Sequence, residues 1–340
     1  MRVAMYYNNK DLRIEEMPKL RIGPDEILVK AMACGICGSD VLEWYRIKKA
    51  PRVLGHEMTG EIVEVGKGVK KFKVGDRVFV SHHVPCNECR YCLNGHHTAC
   101  ETLHKTNFDP GGFSEYIRVP SINVELGTYF LPEDVSYEEG TFIEPLGCVI
   151  RGQRLAQIKS NQAVLVLGSG VAGLLHIQLA KTVGARVIAT DINEYRLKAA
   201  KKFGADFVIN AKEDVPSILK EVNENRLADR VIICTGALSA TKQALQSVDK
   251  GGIILFFAVP KPGEDVCIPI TDFWRNEITI MTSYGAGPTD LEEALEMISS
   301  HKVNVKDMIT HKLSLEEIGK GFQIVADAKK SIKVIIEPHR

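Results

Sequence analysis

Neither sign of charge dominates this chain. Its 340 residues carry 43 Lys and Arg against 43 Asp and Glu, a formal net charge of zero. Proteins that live on nucleic acid or anionic lipid ordinarily carry a basic excess, because counterion release from phosphates drives that binding. A nucleic-acid partner is therefore not expected. No run of about 18 apolar residues occurs, so no membrane span is expected either. The opening segment, MRVAMYYNNK, has no apolar stretch ahead of a small-residue cleavage site, which speaks against a secretory leader. Low-complexity tracts and charge blocks are also missing. What is present is an ordinary globular composition, 45% hydrophobic and 25% charged. The length exceeds what one hydrophobic core usually supports and predicts two domains. Nine cysteines without an export signal point to reduced thiols in the cytoplasm, hence to metal ligands or buried thiols.

The first 135 or so residues hold short strand-like runs closed by glycine turns, among them 26–33 (EILVKAMA), 60–65 (GEIVEV), 76–80 (DRVFV) and 113–119 (FSEYIRV). This pattern predicts an all-β barrel or sandwich. From about residue 161 the rhythm becomes strand, helix, glycine, strand. Strands are expected at 163–167, 186–190, 206–209, 229–234, 253–259 and 278–282, with helices between them and Gly184, Gly204 and Gly251 at helix ends. Such alternation predicts a doubly wound parallel sheet, so the fold class is α/β. The final run, KVIIEP, has no place in a finished six-stranded sheet and is expected to return to the N-terminal barrel. The expected boundaries are 1–147, 148–285 and a C-terminal return at 286–340.

Gly168-Ser169-Gly170-Val171-Ala172-Gly173 fits G-x-G-x-x-G. It follows an apolar strand and opens a helix, the context in which the pattern signals dinucleotide binding. Gly168 permits the tight turn, Gly170 lets backbone approach a pyrophosphate, and Gly173 lets the helix pack on the strand. The helix N-terminus offers free N–H groups to phosphate. Asp191 ends the next strand, where a carboxylate accepts the ribose hydroxyls of NAD and repels the extra phosphate of NADP. Asp191 could instead cap the following helix, a task Asn193 can also perform. Arg196 is the residue that could accommodate a phosphate. NAD is the expected cofactor.

Residues 86–100 read CNECRYCLNGHHTAC, with cysteines 86, 89, 92 and 100 spaced C-x2-C-x2-C-x7-C. Taken alone, the spacing leaves open a structural zinc, an iron–sulfur cluster or a binding module. Bacterial iron–sulfur runs place the last Cys after three residues and follow it with Pro; here seven residues intervene and Glu101 follows. The flanking His82, His83, His96 and His97 are expected on the surface rather than as ligands. Cys37 in GICGSD, His56 and Glu57 in GHE, and Glu144 in EPL supply a thiol, an imidazole and two carboxylates. A catalytic zinc needs about three such ligands and one open position.

In that order, GICGSD, GHE, the four-cysteine lobe, EPL and GSGVAG resemble the zinc-dependent medium-chain dehydrogenases, and within them the sorbitol, threonine and related polyol dehydrogenases. The resemblance spans almost the whole chain. It implies a doubly wound parallel Rossmann domain inserted in a GroES-like β-barrel catalytic domain. It also implies a catalytic zinc on Cys37, His56 and either Glu57 or Glu144. Cys86, Cys89, Cys92 and Cys100 match a closed structural zinc lobe, Asp40 an acid that orients His56, and Ser39 the hydroxyl that receives the alcohol proton. A homodimer or homotetramer follows by analogy.

Some positions depart from the family pattern. Leu42 stands where many relatives carry a relay His, and Ser283-Tyr284 lacks the Arg of many polyol enzymes. The 40–55 loop is also short. The expected reaction is hydride transfer from a secondary alcohol to NAD, the substrate being a polyol, cyclitol, sugar alcohol or threonine-like amino alcohol. The alternatives are a zinc-independent enone or quinone reductase of the same superfamily, which would not need these ligands, and a non-catalytic zinc-containing binding protein.

Overall fold

The computed structural model describes all 340 residues, which divide into two compact units. The first comprises Met1–Gly147, Ala286–His301 and Val305–Arg340; the second comprises Cys148–Gly285 and Lys302–Asn304. Asn304 belongs to the second unit because Gln178 takes both its backbone groups, accepting from its N–H at 2.8 Å and donating to its carbonyl at 3.2 Å.

Strands are numbered along the chain. The first unit holds β1 (Arg2–Asn8), β2 (Asp11–Glu16), β3 (Ile27–Gly35), β4 (Arg52–Val53), β5 (Glu57–Val65), β6 (Arg77–Ser81), β7 (Tyr116–Val119) and β8 (Thr128–Phe130). The second holds β9 (Ala163–Leu167), β10 (Arg186–Asp191), β11 (Phe207–Asn210), β12 (Ala228–Ile233), β13 (Val248–Phe256) and β14 (Thr279–Thr282). Finally β15 (Ile309–Ser314) and β16 (Lys333–Glu337) return to the first.

In the first unit, a seven-stranded sheet runs β15-β16-β3-β5-β6-β8, with β7 also on β3, beside a small sheet β2-β1-β4. The strand carrying KVIIE does return to the N-terminal sheet, pairing antiparallel with β3 through Ile335–Gly35 and Ile336–Cys34. Val29, Ala31, Met58, Ile62, Phe113, Phe322 and Ile336 share one core, drawn from strands far apart in sequence. The run expected at 113–119 is a strand only from Tyr116, since Ser114 bridges across to Val3 of β1 instead.

The second unit is a six-stranded parallel sheet in the order β11-β10-β9-β12-β13-β14. This is the doubly wound order, in which the topology reverses beside the first strand. All five residues of β9, AVLVL, are buried, as a strand covered on both faces requires. β13 starts earlier than the expected 253, because the chain pairs with Ala228 through Val248 and resumes at Ile253 after an irregularity.

Candidate active site

The end of β3 and the start of β5 lie side by side, with Gly35 opposite Glu57. That register delivers the two sequence-distant signatures to one place. Potential ligand atoms of Cys37, His56 and Glu57 all lie within 4.8 Å of one another. Glu144, in the first turn of the helix Ile143–Leu155, is outside this group. It lines a small cavity with Ser81, His82 and His83.

Asp40 organises the centre. It is fully buried, and its Oδ2 accepts the Cys37 N–H at 3.1 Å, which tightens the turn carrying the thiol. Its Oδ1 lies 3.4 Å from His56 Nδ1, leaving Nε2 as the nitrogen free to bind a cation. Burial pushes the Asp40 carboxyl up, but His56 and Arg46 outweigh it and hold it below the usual range. Burial likewise opposes charge on His56, yet Asp40 holds the metal-free ring well above 6.5. Metal binding at this ring must therefore release a proton.

Two cations that the sequence reading did not single out complete the centre. Arg46, on the short helix Glu43–Arg46, donates from Nη2 to Ser39 Oγ at 2.7 Å and to Asp40 Oδ1 at 3.1 Å. Lys333, the first residue of β16, is fully buried and donates from Nζ to Glu57 Oε2. A Cβ at Gly35 would stand 2.3 Å from that carboxylate oxygen and 2.6 Å from Lys333 Cε, so only glycine admits the pair there. The one sequence signal for Lys333 is a lysine inside an otherwise apolar run, IKVII.

His82 and His83 depart from expectation. They are half-buried, with His82 4.9 Å from His56 and His83 stacked on His82 at 3.8 Å between ring centroids. The cause is register: Ser81 pairs with Glu57 across β5–β6, so the next residue arrives beside His56. His96 is exposed and His97 half-buried.

No disulfide forms among the nine cysteines. Cys86, Cys89, Cys92 and Cys100 cluster with Sγ–Sγ distances of 3.5 Å (Cys89–Cys92) and 3.6 Å (Cys86–Cys100). Zinc–sulfur bonds of about 2.3 Å in a tetrahedron give sulfur separations of about 3.8 Å, whereas a disulfide is about 2.05 Å. The donor set therefore fits a closed thiolate site. Burial opposes the Cys100 thiolate, but backbone N–H donors, including that of Cys86, bring it down to about 6.

In the second unit, Gly168 has φ +96°, and a Cβ at Gly173 would lie 1.9 Å from the Gly168 carbonyl oxygen. The helix Val171–Thr182 starts at Gly170 without a side-chain cap, leaving first-turn N–H groups for a phosphate. Asp191 closes β10, its Oδ2 accepting from Ser169 N and its Oδ1 from Asn193 N, both at 2.9 Å. Capping of the next helix falls to Asn193, whose Oδ1 accepts from Tyr195 N. Arg196 flanks the loop, 3.8 Å from a Cβ built at Gly170, and its buried Nε has no hydrogen-bond partner.

Residues 23–126 match the alcohol dehydrogenase GroES-like domain and residues 172–300 the zinc-binding dehydrogenase domain. The chain is 33% identical to a sorbitol dehydrogenase of Bacillus subtilis, over 100% of its own length and 98% of the relative's. Among solved structures, a protein of Sinorhizobium meliloti 1021 assigned to the zinc-binding dehydrogenases and bound to NADP superposes with a TM-score of 0.87 at 27% identity, covering 99% of each chain. An alcohol dehydrogenase of Escherichia coli CFT073 complexed with NADH gives 0.87 at 28%, again covering 99% of each. The chain belongs to the zinc-dependent medium-chain dehydrogenase/reductase family. Its full-length likeness to a sorbitol dehydrogenase sets it in the polyol dehydrogenase branch of that family.

Proposed function

We propose that this chain oxidises a secondary hydroxyl flanked by a second polar substituent, as in a polyol, a cyclitol or a 3-hydroxy amino acid, and passes the hydride to NAD. The observation that carries the reading is the grouping of Cys37, His56 and Glu57 within 4.8 Å, with the Ser39 N–H donating to Cys37 Sγ at 3.4 Å. One thiol, one imidazole and one carboxylate make a three-donor set that leaves a zinc coordination position open. Zinc bound there supplies Lewis-acid polarisation of the alcohol.

The chain's own residues do the rest. Cys37, His56 and Glu57 hold the ion, and Asp40 orients His56. Ser39 takes the alcohol proton: Arg46 occupies one lone pair of its Oγ and leaves the other, together with the hydroxyl hydrogen, for a proton transfer. With Leu42 where relatives carry His, that proton would leave Ser39 through water or through Glu43. Glu144, outside the ligand group, accepts a hydrogen bond from the neighbouring hydroxyl or amine of the substrate. Gly168, Gly170, Val171, Ala172 and Gly173 seat the pyrophosphate, Asp191 the adenosine ribose, and Arg196 lies alongside. Cys86, Cys89, Cys92 and Cys100 hold a second, structural zinc.

The subunit is proposed to assemble as a homodimer or homotetramer. β14 is an edge strand, and nearby Ile268, Ile270 and Trp274 are exposed by 41%, 69% and 79%. No helix is long and apolar enough to cross a membrane, and the nine free thiols suit the reducing cytoplasm in which we place the protein. A panel of polyols, cyclitols, amino alcohols and simple primary alcohols, followed by NADH absorbance, tests the reading. Ethanol or butanol equalling the best polyhydroxy substrate in kcat/KM would refute it.

A further inference from the structure

The turn after β6 is held more firmly than a surface turn needs to be. Asn123, fully buried on the helix Ser121–Gly127, donates from Nδ2 to the Ser81 carbonyl at 2.9 Å and to the His82 carbonyl at 3.2 Å. Ser81 Oγ donates to the His83 carbonyl at 2.8 Å, and Thr106 Oγ1 accepts from the Val84 N–H at 2.8 Å. Each residue from 81 to 84 is thus pinned, so the backbone that carries the two imidazoles is fixed. One polar atom of this turn is left over: His82 Nδ1 is buried and has no hydrogen-bond partner. An atom shut from water in this way costs free energy until something supplies a partner.

His82 also borders both the centre and the cavity that Glu144 lines. Its ring lies 4.9 Å from that of the ligand His56, and it lines the cavity together with Glu144. That cavity admits little more than a water-sized group. No Lys or Arg lines it, the side chains of Leu103, Ala286 and Leu291 are apolar, and Ser81 has given its hydroxyl hydrogen to His83. What the wall offers an entering substituent is a carboxylate and, next to the centre, an imidazole. A hydroxyl donates one hydrogen bond and accepts others, so a single one can serve a carboxylate and an imidazole N–H together. Half a turn about Cβ–Cγ exchanges Nδ1 with Cδ2 in an unchanged ring outline, so the ring can bring that nitrogen to the entering group.

We propose that His82 is a specificity-determining residue of the dehydrogenase: the hydroxyl next to the reacting carbinol enters this cavity, donates to Glu144 and accepts from the His82 ring. The inference rests on the dehydrogenase reading above and deepens it by giving that hydroxyl a second partner. Of the substituents named there it selects the hydroxyl. An ammonium serves Glu144 but has no lone pair for the ring N–H. A carboxylate in the same place meets the like charge of Glu144 with no cation to offset it.

The test uses the zinc-loaded enzyme with vicinal butanediol, with secondary butanol, which lacks the neighbouring hydroxyl, and with the amino alcohol of the same carbon skeleton. His82→Phe keeps a ring and removes both nitrogens. It should lower kcat/KM for butanediol by about tenfold, the worth of a neutral hydrogen bond, and that for secondary butanol far less. His82→Asn, whose amide places a donor near the position of Nδ1, should recover part of the loss. In a Glu144→Gln background the His82→Phe loss should shrink, because the two groups share one hydroxyl. Zinc analysis should find the same metal content in His82→Phe as in the unmodified protein. An equal loss on butanediol and secondary butanol would overturn the proposal, leaving the ring only a support for His56. A lost zinc, an amino alcohol matching the diol, or butanediol no better than secondary butanol in the unmodified enzyme would overturn it too. Should His82→Phe not fold, His82→Leu makes the same comparison. Failure of every alcohol in the wider panel to yield NADH would take down the dehydrogenase reading as well.

Discussion

Replacing Lys333 by methionine removes a buried cation and keeps most of its volume. The partner, Glu57, has a side chain only 1% exposed and cannot recover its hydration in place. Breaking a buried pair in this way typically costs about 3–5 kcal/mol, because one charge is left uncompensated. Against a total stability of about 5–15 kcal/mol, that is a large fraction. The double variant Lys333→Met, Glu57→Gln strands no charge, so most of the loss should return. Zinc bound beside Glu57 also compensates its charge, and the Lys333→Met loss should shrink in zinc-loaded protein. Burial pulls the Lys333 ammonium down, but Glu57, with Cys37 and Glu144, carries it above the usual 10.5. A lysine raised on folding contributes stability that is complete below 10.5 and lost as pH rises through its higher folded value. At pH 7.5 the full effect is therefore present. Urea unfolding followed by Trp44, in a background where the exposed Trp274 is replaced by Phe, reads the unit that holds the pair. A single-variant loss below about 1 kcal/mol, or a double variant as unstable as the single, would refute the argument.

Other perturbations read the remaining parts. Cys37→Ser should abolish turnover and leave one zinc per chain, whereas Cys92→Ser should lower stability as the thiolate site is lost; a fully active protein containing a single zinc would contradict both. Asp191→Ser should narrow the preference for NAD over NADP by on the order of tenfold, since it removes the charge that faces the extra phosphate. Better use of NADP by the unmodified enzyme would transfer the specificity role to Arg196. His176, fully buried, is held down to about 3 by burial. Below 6.5 the unfolded chain takes up a proton that the folded chain refuses until about pH 3, so this stability falls with falling pH. His176→Leu should flatten that slope by about 1.4 kcal/mol per pH unit, and an unchanged slope of unfolding free energy between pH 4 and 6 would show that the ring does not titrate as described.

Legibility in the sequence tracks the range of the interaction. The second unit's strand–helix alternation is local, written in runs such as AVLVL and in glycines at helix ends, so its six strands were readable within a few residues. The glycine loop and the four-cysteine lobe are local as well, each a single stretch of chain. GICGSD and GHE were legible as motifs, but their meeting depends on the β3–β5 register that sets Gly35 opposite Glu57.

What stayed hidden is what that register recruits from further away. Lys333 lies 276 residues from Glu57, and no local pattern separates a lysine that pairs with a buried carboxylate from one that caps a strand in water. His82 and His83 read as surface residues because polar residues beside a cysteine lobe usually are. Only the Glu57–Ser81 pairing turns them inward. The same logic explains Arg46, which no motif of its short loop marks. Folding gives Arg46 three acceptor atoms, two on Ser39 and one on Asp40.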